Sequence, residues 1–97
     1  MPSFVTLAKW TDQGISNVGE SPSRLDKARE AFEKNGAKLK DFYLSLGQYD
    51  MIIFSEAPDA ETVAKVWIKA GTAGAVRTET FQVFTEDEYR NIVASVK

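Results

Sequence analysis

Ninety-seven residues with 43% apolar and 27% charged side chains make up a chain of one domain, read as residues 1–97, with room for a single sheet and a helical layer. The absence of cysteine and histidine excludes disulfides, thiolate nucleophiles, most zinc sites, the usual general base and every Ser-His or Cys-His pair. Twelve Lys and Arg against fourteen Asp and Glu, mixed along the chain, give a net charge of -2 and argue against a nucleic-acid binder.

The N-terminal MPSFVTLAKW lacks the pattern of a leader, and no window approaches the roughly eighteen apolar residues of a membrane span. The expectation is a soluble cytoplasmic protein with no membrane partner. Ser3 to Trp10 alternates as a strand, with Phe4, Thr6, Ala8 and Trp10 on one face and Val5 and Leu7 on the other. Neither face is polar. A long loop from Asp12 to Glu20 follows, and Ser21-Pro22 then supplies an N-cap with proline at the first helical position. That first long helix runs to about Asn35, buries the Leu25, Ala28, Ala31, Phe32 stripe and stops at Gly36.

Lys38 to Leu44 forms the second strand, and Gly47-Gln48 predicts a hairpin into a third, Tyr49 to Glu56. Asp59 caps the next helix, whose Val63, Val66, Trp67 and Ala70 face inward before Gly71-Thr72-Ala73-Gly74 ends it. The fourth strand spans Val76 to Phe84. Thr85 and Glu88 then form a capping box for a last helix carrying Tyr89, Ile92, Val93 and Val96 on one side. The acids Glu86, Asp87 and Glu88 suit the positive end of that helix, so no metal site is assigned to them.

This order of elements is the split βαβ pattern of an α+β, ferredoxin-like fold, βαββαβ with an added C-terminal helix and spatial strand order 4-1-3-2. Helices cover one face. The other exposes an apolar row of the first strand, and a second copy of the chain, sheet against sheet, is expected to cover it. The alternative is that the last helix folds back over it. The topology also brings Trp10, Thr11, Gln48, Tyr49, Asp50, Arg77 and Thr78 toward one edge of the sheet. With Tyr43 they form a candidate pocket for a small anionic or aromatic ligand.

The stretch Gly47-Gln48-Tyr49-Asp50 resembles the G-x-Y-D signature of the GYD domain family. The resemblance extends in order and spacing through Trp10-Thr11-Asp12-Gln13-Gly14, Ser21-Pro22-Ser23-Arg24-Leu25, Phe42-Tyr43-Leu44, Val76-Arg77-Thr78-Glu79-Thr80 and Glu86-Asp87-Glu88-Tyr89. It implies an architecture similar to the dimeric α/β barrel proteins, which include cofactor-free monooxygenases, dismutases and small-molecule-sensing domains. It implies no particular reaction, since fold does not fix function.

Two readings follow. In the first, the chain is a homo-oligomeric binding or regulatory module, with Arg77 forking onto a ligand anion beside Trp10, Tyr43 and Tyr49. In the second, it is a cofactor-independent oxidoreductase or isomerase, with Asp50 or Tyr49 moving a proton and Arg77 steadying an enolate-like intermediate. Neither calls for a metal or cofactor. A dry pocket holding a free Asp50 favours the enzyme, whereas Asp50 tied into its turn favours the module. An edge that serves only to assemble oligomers is a third reading.

Overall fold

Alternation of apolar and small side chains produces β1 (Ser3–Trp10), after which the chain forms a short helix α1 (Asp12–Ser16), a single 3-10 turn (Val18–Glu20) and α2 (Ser21–Lys34). There follow β2 (Lys38–Leu44), β3 (Met51–Glu56), α3 (Ala60–Thr72), β4 (Val76–Val83) and α4 (Glu86–Ala94). The computed structural model describes residues 1–96. All strand pairs are antiparallel in the order β2-β3-β1-β4, the expected 4-1-3-2 order, and the sheet is open rather than closed into a barrel.

The register settles which row of β1 faces the helices. Phe4, Thr6 and Ala8 lie opposite Ser55, Ile53 and Met51 of β3, and Phe4 and Ile53 join Leu39, Phe32, Val63, Val66 and Trp67 in the core. Phe32 is fully buried, with its ring edge-on to Trp67 at a centroid distance of 5.6 Å. A side chain of that size contributes about 3 kcal/mol through burial. Beneath α3, the Thr6 and Thr80 hydroxyls satisfy each other at 2.9 Å. Val5 and Leu7 therefore belong to the open face, opposite Phe54 and Ile52 of β3 and Phe81 and Glu79 of β4.

Four local expectations need correction. The Asp12–Glu20 loop is mostly ordered into α1 and the 3-10 turn. Thr11 nucleates α1, its side chain accepting the Gly14 N–H at 3.0 Å. Ser21 is the first helical residue rather than the N-cap, and its hydroxyl accepts the Trp10 indole N–H at 3.3 Å. The β2–β3 connection is wider than a tight hairpin: β3 begins at Met51, not Tyr49, and Gly47 takes up a positive φ of 107° in the link. The fourth strand ends at Val83, one residue before Phe84. The pairing of β2 with β3 also shifts between Leu39 and Asp41, a bulge that sets Lys40 within 3.6 Å of Glu56.

α4 does not fold back over the sheet. Its capping box forms as expected, with the Thr85 N–H donating to the Glu88 carboxylate at 2.8 Å and the Glu88 N–H to the Thr85 hydroxyl at 3.2 Å. None of its residues is buried, and it packs extensively against no other element.

Candidate functional site

The stretch Thr11-Asp12-Gln13-Gly14 is an anchor between α1 and the turn after α3. Thr11 donates its backbone N–H to the Ala75 carbonyl at 3.0 Å and its hydroxyl to the Gly74 carbonyl, while Gln13 reaches the Ala73 carbonyl at 3.4 Å. Gly14 lies directly against the Ala75 backbone, where a β-carbon would overlap the carbonyl. This contact explains the glycine.

Asp50 anchors the β2–β3 link in the same manner. Its carboxylate accepts the Trp10 N–H at 3.0 Å, its own N–H donates to the Ala8 carbonyl at 2.9 Å, and its carbonyl accepts the Ser45 N–H at 2.8 Å. From the neighbouring position the Tyr49 phenol spans β1 and donates to the Glu79 carboxylate of β4 at 2.5 Å. That hydrogen bond, and then the Glu79 charge, push the phenol pKa above its usual 10.0, so Tyr49 holds its proton more firmly than a free tyrosine. Asp50 and Arg77 form no ion pair.

The sheet divides the remaining candidates. Thr78 lies opposite Ala8 and Trp10 opposite Val76, which places both on the helix-covered side. Arg77 is exposed on the open face, directly opposite Lys9, a cation absent from the sequence-based candidates although it continues the Val5, Leu7 row. Tyr43 is also on the open face, on β2, with β3 and β1 between it and β4, and its ring is edge-on to Phe54 at 6.3 Å. Gln48 is exposed in the link. Among the described residues, no three carboxylates converge closely enough to hold a metal ion.

Two surfaces stand out instead. The first is the open face, where Val5, Leu7 and Ile52 are flanked by Phe54, Phe81 at 46% exposure and Tyr43 at 56%. α4 separately exposes Tyr89, Ile92 and Val93. The second is a groove of about 370 Å³ between α2 and α3, floored by Ala8, Met51 and Ile53 and walled by Leu25, Phe42 and Trp67. No sequence pattern announced this groove, because alanines on the facing helices read as ordinary core.

The pattern of the GYD domain family matches residues 4–93. The chain belongs to the GYD domain family. A relative in Thermus thermophilus described as "Glutamine synthetase and cystathionine beta-lyase binding protein" is 32% identical over 83 residues, covering 84% of this chain and 87% of the relative. Among solved structures, the feast or famine regulatory protein of Mycobacterium tuberculosis, complexed with L-methionine, superposes with a TM-score of 0.66 at 16% identity. That superposition covers 88% of this GYD chain and 51% of the regulator, so the chain spans about half the regulator's length. A solved protein of Thermus thermophilus superposes with a TM-score of 0.54 at 21% identity, covering 88% of this chain and 95% of that one. At these identities the likenesses establish the ferredoxin-like α+β fold and nothing finer.

Proposed function

We propose that this GYD chain is a self-associating binding module with no reaction of its own, whose open sheet face and α4 are interaction surfaces. The observation that carries this reading is the uncovered apolar surface: Phe54, Phe81 and Tyr43 are exposed on the sheet, and α4 has no buried residue. Such a surface is costly to leave in water and marks an interface. A second copy fits it best, since a two-fold axis through the sheet would place like rows against like rows and offer each α4 a partner's flank.

The site residues support binding over proton transfer. Asp50 is engaged by the Trp10 N–H and Tyr49 by Glu79, so neither candidate acid or base stands free. Lys9 and Arg77, two cations face to face at the end of the open face, would be relieved by a small carboxylate or phosphate held in the assembly. Similarity to the Thermus thermophilus relative, described by the enzymes it binds, extends the reading to protein partners.

Sedimentation velocity at micromolar concentration tests the proposal on wild type and on Phe54→Ser/Phe81→Ser. The expected result is a dimer for wild type and a folded monomer for the double variant. A wild-type species of 10.8 kDa would overturn the reading.

A further inference from the structure

The groove between α2 and α3 has a charge distribution that its packing role does not require. Arg24 and Lys27 of α2 and Lys65 and Lys69 of α3 line it, one basic pair on each side, and among the described residues not one Asp or Glu does. In a chain that carries more acids than bases, a rim of four cations without an acid is a local reversal of sign. Lys27 and Lys69 make no ion pair among the described residues. Lys65 touches only the exposed Glu61, at 3.7 Å, and Arg24 spends its guanidinium on the Asn17 and Gly14 carbonyls at 3.0 and 3.4 Å.

Below the rim the groove is apolar, and alanines on the facing helices leave it open between the larger Leu25, Phe42 and Trp67. Ala28 and Ala31 of α2 line it together with Ala70 of α3 and Ala73 just beyond that helix, and with Ala8 and Ala75. Interiors normally close such gaps, since unfilled volume forfeits dispersion contacts. About 370 Å³ lies within the range of small-molecule sites. Trp67 contributes the wall, and its indole N–H is buried with no acceptor among the described residues.

We propose that this groove is a second binding site, independent of the open face, for an amphiphilic carboxylate: an apolar body between the alanines and the anionic head at the Lys27 and Lys69 rim. The cations supply head-group selectivity and the apolar floor and walls supply affinity for the body.

Calorimetric titration of the intact chain with decanoate, decanol and decyltrimethylammonium provides the test. Decanoate is expected to bind one per chain and at least about tenfold more tightly than the other two, with an affinity that falls as salt is added. Lys27→Glu/Lys69→Glu alters exposed side chains only, should leave the thermal midpoint in place, and is expected to weaken decanoate about tenfold or more while sparing decanol. Ala70→Phe fills the groove and should abolish binding of both. Phe54→Ser/Phe81→Ser on the open face should leave decanoate affinity unchanged. Equal binding of the three amphiphiles, an unaltered affinity in the charge-reversed variant, or loss of binding in the open-face variant would each overturn the proposal. A monomeric wild type that still binds decanoate would refute the proposed assembly and leave this site standing.

Discussion

The Asp50 carboxylate accepts the backbone N–H of Trp10 across 40 residues of chain, joining the β2–β3 link to the end of the central strand β1. A charged acceptor on a partly buried amide contributes about 1.5–3 kcal/mol. Asp50→Ala should therefore destabilise the protein by about 2 kcal/mol, and Asp50→Asn, which keeps an acceptor, by less. Urea unfolding measures both. No change in Asp50→Ala would remove the anchoring role assigned to this residue.

Gly14 and Gly19 make a matched pair of substitutions. A β-carbon on Gly14 would run into the Ala75 carbonyl, whereas nothing lies within 4 Å of one on Gly19. Gly14→Ala should cost about 2–3 kcal/mol as α1 is driven off the turn after α3. Gly19→Ala should be neutral or stabilising by up to about 1 kcal/mol. Chemical denaturation of the two variants decides, and equal stabilities would mean that α1 is free to shift.

Acid should destabilise the fold partly through Asp59. The Thr62 N–H and hydroxyl both donate to its carboxylate, at 2.9 and 2.8 Å, and hold its pKa below the usual 3.8. A carboxylate depressed in the folded state stabilises above its unfolded pKa and loses that contribution as pH falls through 3.8 toward the folded value. Thermal melts of Asp59→Asn should show a shallower decline than wild type in that window. Parallel curves would exclude the cap as a source of acid sensitivity.

At the alkaline end the sign reverses. Tyr49 has a raised pKa because its phenol donates to Glu79, so its contribution is complete below 10.0 and disappears as pH rises through the folded value. Spectrophotometric titration should find the Tyr49 phenol ionising above 10.0, and Glu79→Gln should bring its midpoint down toward that value. A late phenol that persists in Glu79→Gln would assign the shift elsewhere.

α4 gives a prediction about order. Nine residues are too few for a stable isolated helix, and among the described residues no other element packs extensively against this one. In the Phe54→Ser/Phe81→Ser variant, amide exchange of Ile92 and Val93 should approach that of unfolded peptide, while wild type at high concentration protects them. Protection in a monomer would show that α4 is stable unaided.

Element order, strand order and the capping box are all legible in the sequence because each rests on local periodicity or on side chains three residues apart. The orientation of β1 is not, since Phe4, Ala8 and Trp10 are as apolar as Val5 and Leu7, and only the register with β3 and β4 separates them. α1 escapes notice because Thr11 and Gly14 take their meaning from Gly74 and Ala75, some sixty residues away. Strand ends read from the sequence bring Trp10 and Asp50 together, as their hydrogen bond shows, yet a list of strand ends does not show which side of the sheet each side chain occupies. Trp10 and Thr78 consequently part from Arg77 and Tyr43.

The bulge after Leu39 bears on how copies of this chain can meet. β2 is an edge strand, and its interrupted ladder, with Lys38, Lys40 and Asp41 clustered at the irregularity, makes a poor template for a foreign strand. At the opposite edge, β4 carries Arg77 and Glu79. Growth by strand addition, the route to open-ended fibrils, is discouraged at both margins, which leaves the proposed self-association a face-to-face geometry that closes on itself.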